Sequence, residues 1–567
     1  MELPPYTPTV PGMLHHISTH FGDVEALVCG ADRLTYRGLE QRSARLANAM
    51  LAQGLGKGSR VAILMKNSPD FAVTFMAAAR IGALVSPLST LFQAPELAWV
   101  LRHADINTLF MDSSYLGHDY LDRMELAFPA LRGAGSPRLR LVDAPFLRHV
   151  HVYGQCDRAW ATDAGKLLDH PNAGDASATR TLQAVESEVC PADLFFVVYT
   201  SGSTGLPKGV VHYHGNAIRH SYRMAAEYMM LEEGDRIASA RPWFWIAGLS
   251  ANLLYTLQVG GCLVIQERDD PHNTMELIDT EDVTFISGRP PQFATLAATM
   301  DAEQSPYSFR LLGNNTAGVV RRPPDAGGTV QFINERLEGR IPARKMNKDI
   351  SHFASFYGMS ETLAAHTAWP QPNYLPHDKV PSSGRAMSGV EHKIVDQASG
   401  ALLGADQPGE LYVRGYSLMQ GLYKREREET FDPDGFYPSG DICVIDADGY
   451  LRVRGRMDDM TKISGANVSL TEVEQVLNLM PGVRTSAVFA LQESGESGSN
   501  RLVAGVLTIP AAPINEEQVI AYLKSQLSSF KVPRRVLLFD PEDVPHTGSG
   551  KVIRREFQAL IEQALEE

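Results

Sequence analysis

The stretch from Arg60 to Gly82 reads RVAILM, then KNSP, then DFAVTFMAAARI and a glycine. The apolar run ending at Met65 predicts a strand, and the spacing of apolar residues from Asp70 to Ile81 predicts a helix. Between them Asn67-Ser68-Pro69 makes a turn, with Pro69 in the first helical turn, and Gly82 stands just past the last periodic residue as a stop. A helix that follows its strand so closely is expected to pack back on it. Repeated along a chain, this strand–turn–helix grammar gives α/β layers around a mostly parallel sheet. Leu194 to Tyr199 (LFFVVY) is a second apolar strand, and it opens directly into a loop rich in serine, threonine and glycine.

The 567 residues are 44% hydrophobic and 21% charged, which excludes a disordered chain and a single small module. A formal charge of −14 disfavours a coat for nucleic acid or anionic membrane. The five cysteines form no C-x-x-C pair, so neither a zinc site nor a disulfide framework is suggested, and a cytoplasmic setting is expected. Residues 1–12 do not resemble a signal peptide, so the mature chain is expected to start near Met1. Trp243 to Gln266 is uncharged throughout, but Asn252, Gln258 and Gly260-Gly261 interrupt it. A buried helix running into a buried strand is expected there rather than a membrane span.

Three later regions change texture. Gly133 to Thr181 is rich in glycine, proline and aspartate and reads as a connector with short elements between two sheet-containing lobes, about 1–190 and 191–383. From residue 384 to 457, short alternating runs separated by Asp-Gly turns read as a small β subdomain of antiparallel or barrel type. Residues 458–567 read as a separate α+β domain, with capping signatures at Ser469/Glu472 and Asn515/Gln518 ahead of helices. Strands are expected at Thr485–Leu491 and Leu502–Ile509.

Thr200-Ser201-Gly202-Ser203-Thr204-Gly205-Leu206-Pro207-Lys208-Gly209 concentrates hydroxyls, glycines and a lysine directly after an apolar strand. Glycine lets backbone approach an anion, hydroxyls and N–H groups donate to phosphate oxygens, and Lys208 adds positive charge. The loop fits neither the Walker pattern nor the dinucleotide fingerprint. His15, His16, His212 and His214 have no carboxylate or cysteine at ligand spacing, so they read as surface or core histidines rather than metal ligands.

Together with Tyr357-Gly358-Met359-Ser360-Glu361, Tyr437-Pro438-Ser439-Gly440-Asp441, Gly455-Arg456-Met457-Asp458-Asp459 and Pro545-His546-Thr547-Gly548-Ser549-Gly550-Lys551, this loop resembles the adenylate-forming (AMP-binding) superfamily. That family holds acyl-CoA synthetases, peptide-synthetase adenylation domains and firefly luciferase, and the motifs match its acyl-CoA synthetase (fatty-acid–CoA ligase) branch in order and rough spacing. The resemblance implies a large N-terminal domain, 1–457, of layered α/β subdomains with the small β subdomain, and a small mobile C-terminal domain, 458–567. It implies ATP, Mg²⁺ and coenzyme A as reaction partners, with a small carboxylic acid as substrate. By its motif positions, Thr200 to Gly205 and Lys208 grip the triphosphate, and Tyr357 with Gly358 lies against adenine. Ser360 meets the α-phosphate, Glu361 holds the metal, Asp441 takes the ribose hydroxyls, and Arg456 contacts ribose and phosphate. Lys551 is the adenylation lysine, Asp458 the hinge, and Lys462, Ser464 and Gly465 the face that the coenzyme A thiol approaches. Trp243, Trp245 and Gly248 fall in the segment nearest the acyl group, and Trp245 stands where the family often has histidine. Gly313-Asn314-Asn315-Thr316 falls about where the family's adenine loop should be.

The expected activity is ATP-dependent activation of a hydrophobic acid followed by transfer to coenzyme A. Fatty, aryl and steroid-type acids stay open, as do transfer to a carrier protein or amine, a non-catalytic nucleotide-binding scaffold, and a monomer or homodimer.

Overall fold

The strand expected at the opening motif runs Arg60–Leu64 and its helix Pro69–Arg80. The Ser68 hydroxyl caps the helix by accepting the Phe71 N–H at 3.1 Å, and Gly82 leaves the helix at φ +73°. The helix is not amphipathic in place, because all of it except Asp70 is buried. It touches strands of two different sheets, and a helix covered on both sides has no polar face to keep. Phe71 meets Trp243 edge-on at 5.2 Å and Phe75 meets Phe195 at 5.3 Å, which ties the two sides together.

The computed structural model describes residues 3–168, 176–200, 207–229, 231–313, 316–322, 331–332, 356–368, 379, 382–457, 460–463, 466–492, 500–509, 512–527, 531–546 and 552–566. The chain divides into two units, Met1–Asp378 with Gly384–Glu391 and Arg414–Gly435, and Lys379–Ser383 with His392–Val413 and Phe436–Glu567.

In the first unit, one eight-stranded sheet has a parallel centre of Leu194–Thr200, Leu84–Pro87, Arg60–Leu64, Thr108–Asp112, His149–Tyr153 and Thr162–Asp163. Lys208–Tyr213 and Gly421–Leu422 extend its other edge antiparallel. The second sheet has Phe285–Ser287, Arg236–Ser239, Cys262–Ile265 and Glu25–Cys29 parallel at its centre, with antiparallel strands outside them. Arg60–Leu64, Leu84–Pro87, Leu194–Thr200 and Cys262–Ile265 are largely apolar and buried, as strands covered on both faces require.

The sheets interleave along the sequence. Glu25–Cys29 joins strands beyond residue 230, while Leu194–Thr200 joins strands before residue 90. A cut at residue 190 therefore does not separate them. The short elements expected within Gly133 to Thr181 include more than connection, because His149–Tyr153 is an inner strand paired to Thr108–Asp112. Its sequence HVHVY hides that place: His151 is buried among apolar neighbours with its nitrogens facing Thr162 Oγ1 and Gln53 Oε1. Trp243 to Gln266 is the expected buried helix and strand, with the six residues Leu249–Leu254 wound as a π-helix.

Gly409–Gly415, Tyr437–Ile445 and Leu451–Arg456 form a small antiparallel sheet with Val390–Val395 at its edge, and most of its residues belong to the second unit. A three-stranded sheet of Val483–Gln492, Asn500–Thr508 and Arg535–Phe539 carries Leu470–Asn478 and Glu516–Gln526 over one core and Arg554–Glu566 over another. Asn515 and Gln518 form the expected capping box. Among the described residues no helix is long and apolar enough to cross a membrane.

Candidate active site

The apolar strand Leu194–Thr200 turns back antiparallel into Lys208–Tyr213, with Thr200 directly opposite Lys208. The hairpin thus brings the first and last polar residues of the motif together. Ser201, Gly202, Ser203, Thr204 and Gly205 lie outside the described residues. The Thr200 hydroxyl oxygen is buried and has no hydrogen-bond partner among the described residues, an arrangement that costs free energy unless a ligand answers it. Gly209 is required where it stands, since a Cβ there would come within 2.9 Å of the Val197 side chain and 3.1 Å of Tyr423.

Lys208 Nζ lies 2.6 Å from Glu361 Oε1, joining two motifs 153 residues apart. The Glu361 side chain is only 8% exposed, so its charge depends on such a neighbour. The segment carrying it is tightly folded. Tyr357 crosses His366 edge-on at 5.0 Å, and a Cβ on Gly358 would fall 1.7 Å from the Ala364 carbonyl oxygen, so only glycine fits. Ser360–Thr362 is one short 3₁₀ turn, and Leu363 and Ala364 follow at φ +62° and +90°, a left-handed region that non-glycine residues rarely occupy. Strain of this kind collects where geometry is set for function. The turn is held from outside: Met419 N–H donates to Glu361 O at 2.7 Å, and Ser250 Oγ donates to Leu363 O at 3.4 Å.

Within the second unit, Asp441 and Arg456 face each other across neighbouring strands and form an ion pair, Arg456 Nε to Asp441 Oδ1 3.0 Å. Asp441 is 8% exposed and Arg456 61%, which leaves the guanidinium at the surface and the carboxylate held from below. Gly440, at φ +72°, makes the turn ahead of Asp441, and its N–H donates to Glu410 Oε1 at 3.0 Å. Lys462 sits in the strand Met460–Ile463, opposite Asn467. Asp458, Ser464, Gly465 and Lys551 lie outside the described residues.

The three positions expected near the acyl group separate. Trp243 is a core residue, 1% exposed, packed on Phe71, with its backbone N–H donating to Asn67 Oδ1 at 2.9 Å. Gly248 serves packing too, because a Cβ there would lie 2.0 Å from Pro242 O. Trp245 is half-buried and meets Phe244 edge-on at 5.1 Å.

The motifs alone do not reveal a small cavity lined by Met65, Thr90, Ala240, Phe244 and Gln266. These residues follow the carboxyl ends of parallel strands in both sheets, which is where ligands enter open α/β folds. Lys66 and Glu267, paired at 2.9 Å, also line it.

The residues present suit a nucleotide with a hard metal ion. Among the described residues the Glu361 carboxylate, 8% exposed and beside Lys208, offers hard oxygens of the kind such an ion takes.

A family model described as AMP-binding enzyme matches residues 14–423, and one described as AMP-binding enzyme C-terminal domain matches residues 472–551. A methyl-dioxo-octahydro-indenyl propanoyl:CoA ligase of Mycobacterium tuberculosis is 30% identical over 566 residues, 97% of this chain and 99% of that protein. The 3-hydroxybenzoate–CoA ligase of an Aromatoleum species is 29% identical over 546 residues, 95% and 94% of the two chains. The solved structure of an anthranilate CoA ligase with anthranoyl-AMP superposes with TM-score 0.76 at 20% identity, over 99% of each chain, and so shares the fold.

Proposed function

This chain belongs to the AMP-binding enzyme family, and from that premise we propose that it joins an apolar carboxylic acid to coenzyme A in two steps driven by cleavage of ATP. In the first, a carboxylate oxygen attacks the α-phosphorus and pyrophosphate leaves, giving an acyl-adenylate. In the second, the thiol sulfur attacks the acyl carbon, the thioester forms and AMP leaves. The observation that carries the reading is the Lys208–Glu361 pair on the hairpin whose buried Thr200 hydroxyl lacks a partner.

Thr200 donates to a phosphate oxygen, and Lys208 turns from Glu361 to the same phosphates as they arrive. Magnesium, when bound, would draw charge from the phosphoryl oxygens, and Glu361 is the described side chain suited to hold it. Ser360 meets the α-phosphate, and Tyr357 lies along the adenine face. Asp441 accepts from the ribose hydroxyls while Arg456 keeps it oriented. Lys551 neutralises the carboxylate and α-phosphate during adenylation. Rotation about Asp458 then replaces Lys551 with the Lys462, Ser464 and Gly465 face for thioester formation.

The acid is bulky and apolar. No charged side chain occurs in Trp243 to Tyr255, and the amide of Asn252, the sole amide in that run, is engaged by Ser239 and Ser287. Phe244, which lines the cavity at the strand ends, and Trp245, packed against it, are the side chains for its tail to meet. The mycobacterial relative's name, a propanoyl arm on a fused-ring dione, points the same way. A cytoplasmic setting fits five unpaired cysteines.

Mass spectrometry of products from ATP, Mg²⁺ and a panel of fatty, aromatic and steroid-type acids, with and without coenzyme A, tests this. Acyl-CoA and AMP in the complete mixture are expected. Acyl-adenylate that coenzyme A leaves untouched would overturn the acceptor, and no product with any acid would overturn the activity. Lys551→Ala is expected to abolish adenylation while still making thioester from supplied acyl-adenylate.

A further inference from the structure

His212 sits on the strand Lys208–Tyr213, fully buried, four residues past Lys208. Its Nε2 lies 2.8 Å from the carbonyl oxygen of Ser360, and its Nδ1 lies 3.3 Å from Asn216 Nδ2, which also lies 2.9 Å from the carbonyl oxygen of Leu418. A carbonyl oxygen can only accept. Leu418 therefore fixes the nitrogen of the Asn216 amide towards itself, and the second hydrogen of that NH₂ group faces His212 Nδ1, which must accept it. The proton of the neutral ring then sits on Nε2 and is donated to Ser360 O. Two carbonyls at the ends of the relay settle the direction of every proton within it.

The surroundings keep that tautomer. Burial lowers the His212 pKa to about 4, against a smaller opposing pull from the Ser360 carbonyl and the Glu361 charge, so the ring is neutral at pH 7. Phe196 lies 5.2 Å away, and His220, the other titratable group near it, is itself lowered to about 3 by burial. The far end of the relay is equally fixed. Next to Leu418, Met419 N–H donates to Glu361 O at 2.7 Å and Gln420 N–H donates to Val211 O at 2.8 Å. The strained turn at Ser360 is thus stitched to the phosphate-motif hairpin through His212 and to the segment 418–420 through Met419.

We propose that His212 is a positioning residue for adenylation, its Nε2–H fixing the Ser360 carbonyl and so the placement of Ser360 and Glu361 against the nucleotide, with Asn216 setting its tautomer. The inference rests on the nucleotide role given above to Ser360 and Glu361.

Calorimetric titration with ATP in excess Mg²⁺, beside thermal unfolding, compares wild type with His212→Leu and His212→Gln. Leucine fills the space without a donor, whereas the glutamine amide can donate to the same carbonyl. His212→Leu is expected to weaken MgATP binding about tenfold to a hundredfold, as loss of a ligand's supporting hydrogen bond does. His212→Gln should stay within about threefold of wild type, which a merely packing role would not separate from leucine. Equal affinity for leucine and wild type, or equal loss for both folded variants, overturns the proposal. Wild type that does not bind MgATP removes the premise and the proposal with it. Should the leucine variant fail to fold, ¹⁵N-histidine spectra of wild type, assigned against His212→Gln, decide. A proton on Nε2 that does not titrate from pH 6 to 8 is expected, and a proton on Nδ1 or a titrating ring overturns the relay.

Discussion

A single hydroxyl separates stability from binding in this site. The Thr200 oxygen is buried without a partner among the described residues, so Thr200→Val removes an unmet polar group and is expected to leave unfolding in urea unchanged or stabilised by up to about 1 kcal/mol. The same change deletes a phosphate donor, and MgATP affinity should fall about tenfold, since one charge-assisted hydrogen bond contributes about 1.5 kcal/mol or more. A loss of stability without a loss of affinity would make Thr200 a structural residue. The pair Lys208–Glu361 behaves differently, because removing the lysine takes an opposite charge 2.6 Å away from a carboxylate that is 8% exposed. Lys208→Met is expected to destabilise the first unit by about 3 kcal/mol, and the double change Lys208→Met with Glu361→Gln should recover most of it. Comparable losses in single and double variants, by urea unfolding, would show the pair to be incidental.

Packing explains at the element scale why some of the chain was legible and some was not. The segment from Arg60 to Gly82 carries all its instructions locally: an apolar strand, a Ser68 cap, Pro69 and a terminal glycine, each found where it was expected. Ser68→Ala should therefore cost about 1 kcal/mol, the ordinary value of a lost cap, measurable as a lower urea midpoint. His149–Tyr153 was not legible, because its alternating histidines imitate a half-exposed strand and only its pairing to Thr108–Asp112 reveals that it is internal. The Trp243–Gly248 segment misleads in the opposite direction. Its aromatic and small residues suggest a ligand wall, yet Trp243 and Gly248 answer to Phe71 and Pro242, contacts that only the folded chain supplies. Gly248→Ala tests that assignment. An added methyl at 2.0 Å from a backbone oxygen forces the helix start to shift, and a loss of about 2 kcal/mol or more is expected whether or not acid is bound. His212 was passed over because a lone histidine in a strand reads as core, and its partner Ser360 lies 148 residues away.

At the scale of the whole molecule, the first unit buries an unusual set of neutral bases whose cost appears only on acidification. Burial lowers the pKa values of His151 and His212 to about 4 and of His214 and His220 to about 3. In the unfolded chain each returns to the ordinary value near 6.5 and takes up a proton first. The unfolded state therefore binds more protons throughout the interval from about pH 6.5 down to about 4, so stability rises with pH there and is lost as pH falls. Asp112 and Asp70 oppose this, since burial raises the pKa of Asp112 to about 6 and that of Asp70 above its ordinary value, so the folded state holds their protons longer. These four bases outnumber the two acids and leave the direction unchanged, at about 1.4 kcal/mol per pH unit for each net proton. Structure gives the loss a location: His214 Nδ1 accepts the Val10 N–H at 3.2 Å, so protonating it forfeits a bond that holds the helix Val10–His20. All five tryptophans fall within residues 99–369, inside the first unit, so their fluorescence follows that unit alone. Urea midpoints read by tryptophan emission are expected to be flat above pH 7 and to fall steeply between pH 6.5 and 4.5. Midpoints that hold constant across that interval would mean that these histidines are not buried as neutral bases in solution.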